Sequence, residues 1–383
     1  MGAESPTTLG IPDERARGER RVAVVPSVVE KLVGDGFRVV VERAAGERAG
    51  YADDAYRDAG AQIVLDAAEL HSAARVIARI GAPDDAELAY LTADHVLVAL
   101  LDPLGQPGRV QRIAETGATA LAFEFVPRIT RAQAMDALSS QATVAGYHAV
   151  LLAANRSPRL FPLLMTAAGT IKARHVLVLG AGVAGLQAIA TSRRLGAVVT
   201  AFDVRPAVRE QVESLGARFL AIDVGGVEQA GGYATELAHD QHVREQESLA
   251  VACAEADVVI ATAQIPGAPA PDLITEQAVR AMRRGAVIID LAASTGGNCA
   301  CTRPDEEVDV DGVLVLGPTN PSSALPATAS DLYATNVRAL VKLIAPGGEF
   351  APNWDDEVLA GTAVCRDGSV TALRVLERLG GRA

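Results

Sequence analysis

The chain has 383 residues, 49% hydrophobic and 21% charged, which excludes intrinsic disorder and leaves length enough for two domains with sizeable cores. The formal net charge is −12 and Lys and Arg are scattered, so nucleic acid is not an expected partner. The mostly polar stretch from Met1 to Arg20 has no signal-peptide core, and no apolar run reaches the roughly 18–20 residues that span a bilayer, so neither export nor a direct membrane span is expected.

In chain order, apolar runs alternate with helix-like segments, the pattern of parallel sheets. In the first half, residues 21–25, 38–42, 62–64, 75–80, 95–101 and 118–123 read as strands, with 26–35, 54–59 and 109–116 as helices among them. Residues 131–168 read as largely helical through 140–154 and are expected to bridge two units, starting at the cleft between them. In the second half, 175–179, 198–202, 218–221, 257–262, 285–291 and 312–316 read as strands. The polar stretch from Glu228 to Glu247 contains Gly231-Gly232-Tyr233 and reads as a surface loop or hairpin, either a lid or an incidental insertion. Residues 330–343 read as a helix that crosses back to the first domain. The expected fold class is therefore α/β, with two Rossmann-like doubly wound parallel-sheet domains separated by a cleft. The expected bounds are 1–140 plus 325–383 for the first domain and 141–324 for the second, with a mobile loop near 226–247.

One segment carries a specific chemical signal. The run His175-Val-Leu-Val-Leu-Gly180-Ala-Gly182-Val-Ala-Gly185 is an apolar strand ending in G-x-G-x-x-G and opening into a helix, and a second apolar run ends directly in Asp203. That is the dinucleotide fingerprint in its βαβ setting. Gly180 permits the tight turn, Gly182 leaves room for a pyrophosphate on the free N–H groups of the helix start, and Gly185 lets helix and strand pack closely. Asp203, 18 residues past Gly185, would accept hydrogen bonds from the ribose hydroxyls and repel a 2′-phosphate, favouring NAD(H) over NADP(H). Four cysteines, at 253, 299, 301 and 365, give no disulfide framework. Cys299 and Cys301 read as two small buried thiols, and no metal is expected.

The run from Pro127 to Gln141, Pro-Arg-Ile-Thr-Arg-Ala-Gln-Ala-Met-Asp-Ala-Leu-Ser-Ser-Gln, strongly resembles the signature of the NAD(H)-binding component, domain I, of proton-translocating nicotinamide nucleotide transhydrogenase. The resemblance covers nearly the whole chain and includes Arg20-Arg21-Val22-Ala23, Ala145-Gly146-Tyr147, the stretch from Met165 to Thr170, Gly231-Gly232-Tyr233-Ala234, Ile265-Pro266-Gly267 and Gly296-Gly297-Asn298-Cys299. It implies hydride transfer from NADH to NADP+, with NADP(H) held on a partner subunit. It also implies membrane-embedded partner subunits, a homodimer, and a cytoplasmic location at the cytoplasmic face of the membrane through those partners. Arg128, Gln133, Asp136 and Ser139 match the family's loop beside the nicotinamide and are the catalytic candidates. Ile129, Thr130 and Arg131 of that loop, Val183, Val204, Arg205, Gly232, Tyr233 and Gln264 are further cofactor-binding candidates. By residue type alone the 128–139 group is equally a helix-start network, since Ser, Thr, Asp and Gln cap helices.

The match has departures. Gln264 stands where the family commonly has leucine, Ser294 and Thr295 replace a Glu-Ala pair, Thr319-Asn320-Pro321-Ser322 lacks a residue type usual between Asn and Pro, and Ala324 stands where arginine is common. The alternative reading is an alanine dehydrogenase, which shares the architecture but has a Lys and a His after the third and fourth strands, where this chain has Gly81 and Asp102. A non-catalytic NAD-binding protein is the other alternative, and it gives no reason to keep Arg128, Gln133 and Asp136 together.

Overall fold

Short, nearly unbroken runs of branched aliphatic residues form the central strands, as strands covered on both faces must be. In the computed structural model, which describes residues 6–222 and 239–380, the chain divides into two units: Met1–Gln141 with Ser323–Ala383, and Ala142–Ser322. Both are α/β with largely parallel sheets.

The first unit holds an eight-stranded sheet in the spatial order Ser369–Val370, Ala363–Arg366, Thr119–Ala122, Val96–Ala99, Val76–Ala78, Thr8–Ile11, Arg38–Glu42, Gln62–Val64. The six strands from the earlier stretch of the chain are all parallel and follow the doubly wound order 3-2-1-4-5-6, while the last two, from the C-terminal stretch, add an antiparallel edge. Helix Pro326–Ile344 buries Tyr333, Val337, Leu340, Val341 and Ile344 in this unit's core. Fully burying one such side chain contributes roughly 1.5–3 kcal/mol.

The second unit has a seven-stranded sheet in the order Arg218–Phe219, Val198–Phe202, His175–Leu179, Val258–Ala261, Val287–Asp290, Val313–Leu316, Glu307–Val310. Only Glu307–Val310 runs antiparallel. Strand order reverses between His175–Leu179 and Val258–Ala261, so the crevice beyond their carboxyl ends is the place where such sheets take ligands.

Three expectations need correction. Residues 21–25 are not a strand: Val22, Ala23, Val24 and Val25 are buried, but the Val22 N–H donates to the Ser330 hydroxyl at 2.9 Å, and Pro26 at once opens helix Pro26–Gly34. The strand that begins the sheet is Thr8–Ile11, inside the stretch that reads as polar. Residues 131–168 are not largely helical throughout. A 3₁₀ segment, Thr130–Met135, precedes helix Ala137–Arg156, which ends before Pro158, and Leu164–Thr166 pairs antiparallel with Gly169–Ile171. The stretch 228–247 is not all loop: its described portion begins helix His239–Glu255, whose buried Leu249 and Cys253 pack in the second unit's core.

Gly10 shows how tightly the first sheet is covered. A Cβ there would lie 2.7 Å from the Ala74 Cβ and 2.9 Å from Leu70 Cδ2, so helix Ala67–Ala73 rests directly on the strand backbone. Gly10→Ala should destabilise the protein by about 1–3 kcal/mol in urea unfolding. Gly108→Ala, in helix Pro107–Glu115 with nothing within 4 Å of the new methyl, should be neutral or stabilising by up to about 1 kcal/mol. Equal effects would show that the close approach at Gly10 is not a constraint.

Candidate functional site

The glycine turn joins strand His175–Leu179 to helix Val183–Arg194, and its three glycines answer to three different constraints. Gly180 has φ +93, and a Cβ on it would lie 2.6 Å from the Thr262 hydroxyl. A Cβ on Gly185 would fall on the Gly180 carbonyl oxygen, so that position sets how closely helix and strand pack. Gly182 is the N-cap of the helix, no side chain caps it, and a Cβ there would meet nothing within 4 Å. The protein itself does not need glycine at 182; a ligand approaching the helix amides does. An uncapped helix start of this kind favours an anion through its free N–H groups and the helix dipole. Beside it Val183 is 42% exposed, an apolar surface at the mouth of the turn.

Asp203 follows strand Val198–Phe202 and is buried. Its Oδ2 accepts from the Ala181 N–H at 2.7 Å and from Arg205 Nη2 at 3.0 Å, and its Oδ1 accepts from the Arg205 N–H and Nε, both at 2.9 Å. A carboxylate has about four acceptor positions, and here the protein fills them all. The expectation that Asp203 awaits ribose hydroxyls is therefore refined: a ribose must share or displace the Arg205 guanidinium. The tie to Ala181 has a second consequence, since it pins the middle of the glycine turn to the end of the neighbouring strand. Val204 lies half-buried between the pair.

The opposite wall comes from residues 262–264, after strand Val258–Ala261. Gln264 turns back on the protein, its Nε2 donating to the Leu291 carbonyl at 3.0 Å. Thr295, another departure from the family pattern, closes its own 3₁₀ turn through a hydroxyl donated to Ala292 O at 3.1 Å, with Ser294 exposed beside it. Thr319 is held by Asp305 through its N–H and its hydroxyl, at 2.9 and 2.6 Å. Sequence reasoning passed over Thr262 and Asn298 as site residues. The available signal was a polar residue directly after an apolar strand, on the strand adjacent to the fingerprint.

In the first unit, Asp136 and Ser139 satisfy each other as a helix start: Asp136 Oδ1 accepts from the Ser139 N–H at 2.9 Å and Oδ2 from its hydroxyl at 2.6 Å. Arg131 pairs with both oxygens of Asp356, at 2.7 and 3.1 Å, which draws it away from the role of a nucleotide ligand. Arg128 and Thr130 are exposed and Ile129 is half-buried. Gln133 is exposed and its amide makes no hydrogen bond to the described residues. Gly232 and Tyr233 lie outside the described residues.

The first unit's own strand-order reversal, between Thr8–Ile11 and Val76–Ala78, has no glycine turn and is filled with charge. Glu14 is buried there, accepting from the Ile80 N–H at 2.5 Å, and Arg79 reaches Glu14 at 3.4 Å and Glu87 at 2.8 Å. Burial pushes the Glu14 carboxyl up, and the Arg79 charge opposes this. Two strands further along, Asp102 and Glu124 sit together, the Asp102 N–H donating to Glu124 Oε1 at 2.7 Å, and burial raises the pKa of both carboxyls. Among the described residues no group of three or more His, Cys, Asp or Glu could hold a metal, and no helix is long and apolar enough to cross a membrane. Cys253, Cys299 and Cys365 are buried and Cys301 is partly exposed, a correction to the paired buried thiols expected; burial pushes the Cys299 thiol up to about 12, away from reactivity. His95 is not at the surface either. It is buried, with Nε2 2.9 Å from the His71 carbonyl and Nδ1 accepting from the Thr92 N–H at 2.9 Å.

Comparison with known proteins agrees with this geometry. Residues 10–145 match the alanine dehydrogenase/PNT N-terminal domain, and residues 149–372 match the C-terminal domain of the same family. The first of the polypeptides that make up the NAD(P) transhydrogenase subunit alpha of Rhodospirillum rubrum is 45% identical over 375 residues, covering 94% of this chain and 97% of that protein. A crystal structure of transhydrogenase from Sinorhizobium meliloti superposes with a TM-score of 0.87 at 41% identity, over 95% of this chain and 100% of that one. An L-alanine dehydrogenase structure superposes with a TM-score of 0.80 at 25% identity, over 98% and 99% of the two chains. With both domains matched in order and a relative of this identity spanned almost end to end, the chain belongs to the alanine dehydrogenase/PNT family, with transhydrogenase α subunits among its near relatives.

Proposed function

We propose that the chain binds NAD(H) in its second unit and acts as the α component of a proton-translocating transhydrogenase, exchanging a hydride directly with NADP(H) held on a partner subunit. The observation that supports this most is the uncapped helix start at Gly182, open to a ligand, beside a buried Asp203 whose carboxylate is already oriented by Ala181 and Arg205. Bound NAD(H) supplies the hydride; the residues of the chain bind and orient. No proton moves at the reacting carbons, so no general acid or base is required and positioning carries the rate. Gln133, with an exposed amide offering both donors and an acceptor, is assigned to aligning the two nicotinamides, with Arg128 beside it in the same loop. Asp136 and Ser139 hold that loop to the start of helix Ala137–Arg156. The acids Asp102 and Glu124 argue against a carboxylate substrate such as alanine, since two buried carboxyls repel a third.

The partners follow from the same reading: an NADP(H)-binding subunit and membrane-embedded subunits that place this chain at the cytoplasmic face. A homodimer is also proposed. The antiparallel pair Leu164–Thr166 and Gly169–Ile171 carries exposed apolar side chains, Leu163 at 57%, Met165 at 75% and Ile171 at 41%. An apolar ribbon of this kind marks an interaction surface.

The direct test mixes the chain with a transhydrogenase NADP(H)-binding domain and follows hydride transfer by stopped flow. Transfer should be seen, with no turnover of alanine or of pyruvate plus ammonia; robust amino-acid oxidation would replace this reading with the dehydrogenase one. In the same assay Gln133→Asn should slow transfer at least about ten-fold, or 1.4 kcal/mol, while NADH affinity changes much less. An unchanged rate would make Gln133 an ordinary surface residue. Calorimetry should give NADH about 100-fold tighter binding than NADPH, about 2.7 kcal/mol, because a 2′-phosphate would meet the fixed Asp203 carboxylate. Equal affinities would remove Asp203 from the selectivity argument. Met165→Glu should shift the chain toward monomer in sedimentation velocity, and an unaltered dimer would move the interface elsewhere.

A further inference from the structure

The strand adjacent to the glycine turn ends in a chain of hydrogen bonds that no nucleotide contact explains. Asp290, fully buried at the end of strand Val287–Asp290, accepts from the N–H groups of Ala292 (3.0 Å), Asn298 (2.7 Å) and Cys299 (3.1 Å) and from the Thr302 hydroxyl (2.6 Å). With about four acceptor positions filled, its carboxylate is a fixed point. Asn298 hangs from it and is also fully buried. Its Oδ1 accepts from the Ala263 N–H at 3.0 Å, and its Nδ2 donates to the carbonyls of Ala263 at 2.9 Å and Pro271 at 2.8 Å. Both backbone polar groups of Ala263 are thus tied to one side chain.

One residue earlier the chain reaches the turn. The Thr262 N–H donates to Leu179 O at 2.8 Å, and its hydroxyl lies 3.0 Å from Gly180 O and 3.2 Å from Leu179 O. The same oxygen is the atom that a Cβ on Gly180 would strike, and it would lie 3.2 Å from a Cβ on Gly185. It therefore touches the turn on both sides of the open position at Gly182. The Gly180 carbonyl also bears on Gly185, so any shift of that carbonyl moves the helix start.

We propose that Thr262 is a positioning residue of the nucleotide site, holding the glycine turn where a pyrophosphate can meet the helix amides, and that Asp290 and Asn298 hold Thr262 in place. The proposal rests on the NAD(H) reading of the second unit. It assigns the hydroxyl, not the bulk of the side chain, as the functional group. Thr262→Ser keeps the hydroxyl and loses a methyl; Thr262→Val keeps the shape and loses the donor.

The test is equilibrium titration of the full chain with NADH, beside adenosine, which has no pyrophosphate. The expected result is NADH affinity for Thr262→Ser within about two-fold of the natural chain, and about ten-fold weaker for Thr262→Val. Adenosine should bind all three alike, and ligand-free melting temperatures should agree within a few degrees. Thr262→Ala is measured in parallel and carries the comparison if the valine variant does not fold. Full NADH affinity in the valine and alanine variants would overturn the proposal. So would an equal loss for adenosine and NADH, which marks general disorder of the site. A natural chain that binds no NADH would overturn the nucleotide reading itself, and that result is distinct from the other two.

Discussion

The second unit depends on one close approach. The carbonyl of Gly180 lies where a side chain on Gly185 would have to begin, and the Thr262 hydroxyl lies against Gly180 from the other side. Three backbone segments, one strand end, one helix start and the end of the neighbouring strand, therefore converge within hydrogen-bonding distance. No larger residue fits at 185, and at 180 both the positive φ and the Thr262 oxygen stand in the way. The tie from the Ala181 N–H to Asp203 adds the third strand of the group. What remains open, at Gly182, is open because everything around it is fixed. Gly146, on helix Ala137–Arg156, extends the same logic outward, since a side chain there would strike the backbone of Ala184 in the first turn of the next helix.

Two sheets with the same strand order carry opposite contents at the same topological position. In the second unit the reversal point holds an uncapped helix start and a spare volume at Gly182. In the first it is closed by Glu14, Arg79 and Glu87, all nearly inaccessible, with Arg15 linking Glu87 to Glu42. Such a cluster is stable only while complete, because one partner removed leaves a buried charge that costs several kcal/mol. Fold alone therefore does not say where a nucleotide goes. The glycines do so in one unit, and the carboxylates exclude it in the other.

The sequence was most legible where a local pattern and a tertiary requirement coincide. The runs at 175–179 and 198–202 appear as strands with the bounds read from their apolar residues, since both are covered on both faces. The helix at Pro26–Gly34 was legible from its proline start. Other features were decided by distant partners. Residues 22–25 are apolar and buried, yet the Val22 N–H is met by Ser330, 308 residues away, and no strand forms. Thr8–Ile11 is a strand because two parallel neighbours flank it, which no window around it reveals. In the site, the glycines and Asp203 were legible from spacing. The Arg205 pairing that saturates Asp203 was not, and neither was the Asp290–Asn298 brace, because each depends on which way a side chain turns after the chain leaves the sheet.

The saturation of Asp203 bears on how tightly a nucleotide can be held. On the proposed reading, a ribose offers neutral hydroxyls in place of charged N–H donors from Arg205. A hydrogen bond to a charged group is worth about 1.5–3 kcal/mol and a neutral one about 0.5–1.5 kcal/mol, but the hydroxyl bond is also made to the carboxylate and so falls in the stronger class. The exchange is therefore nearly balanced, and the ribose adds little net affinity. The carboxylate still acts through its charge, because a 2′-phosphate arriving at the same place would bring a second anion against an oxygen that Ala181 prevents from turning away. Selectivity and affinity thus reside in different groups: Asp203 discriminates, while the helix amides at Gly182 bind. A nucleotide held in this way can be both recognised and released, which a chain that must exchange NADH for NAD+ at every turnover requires.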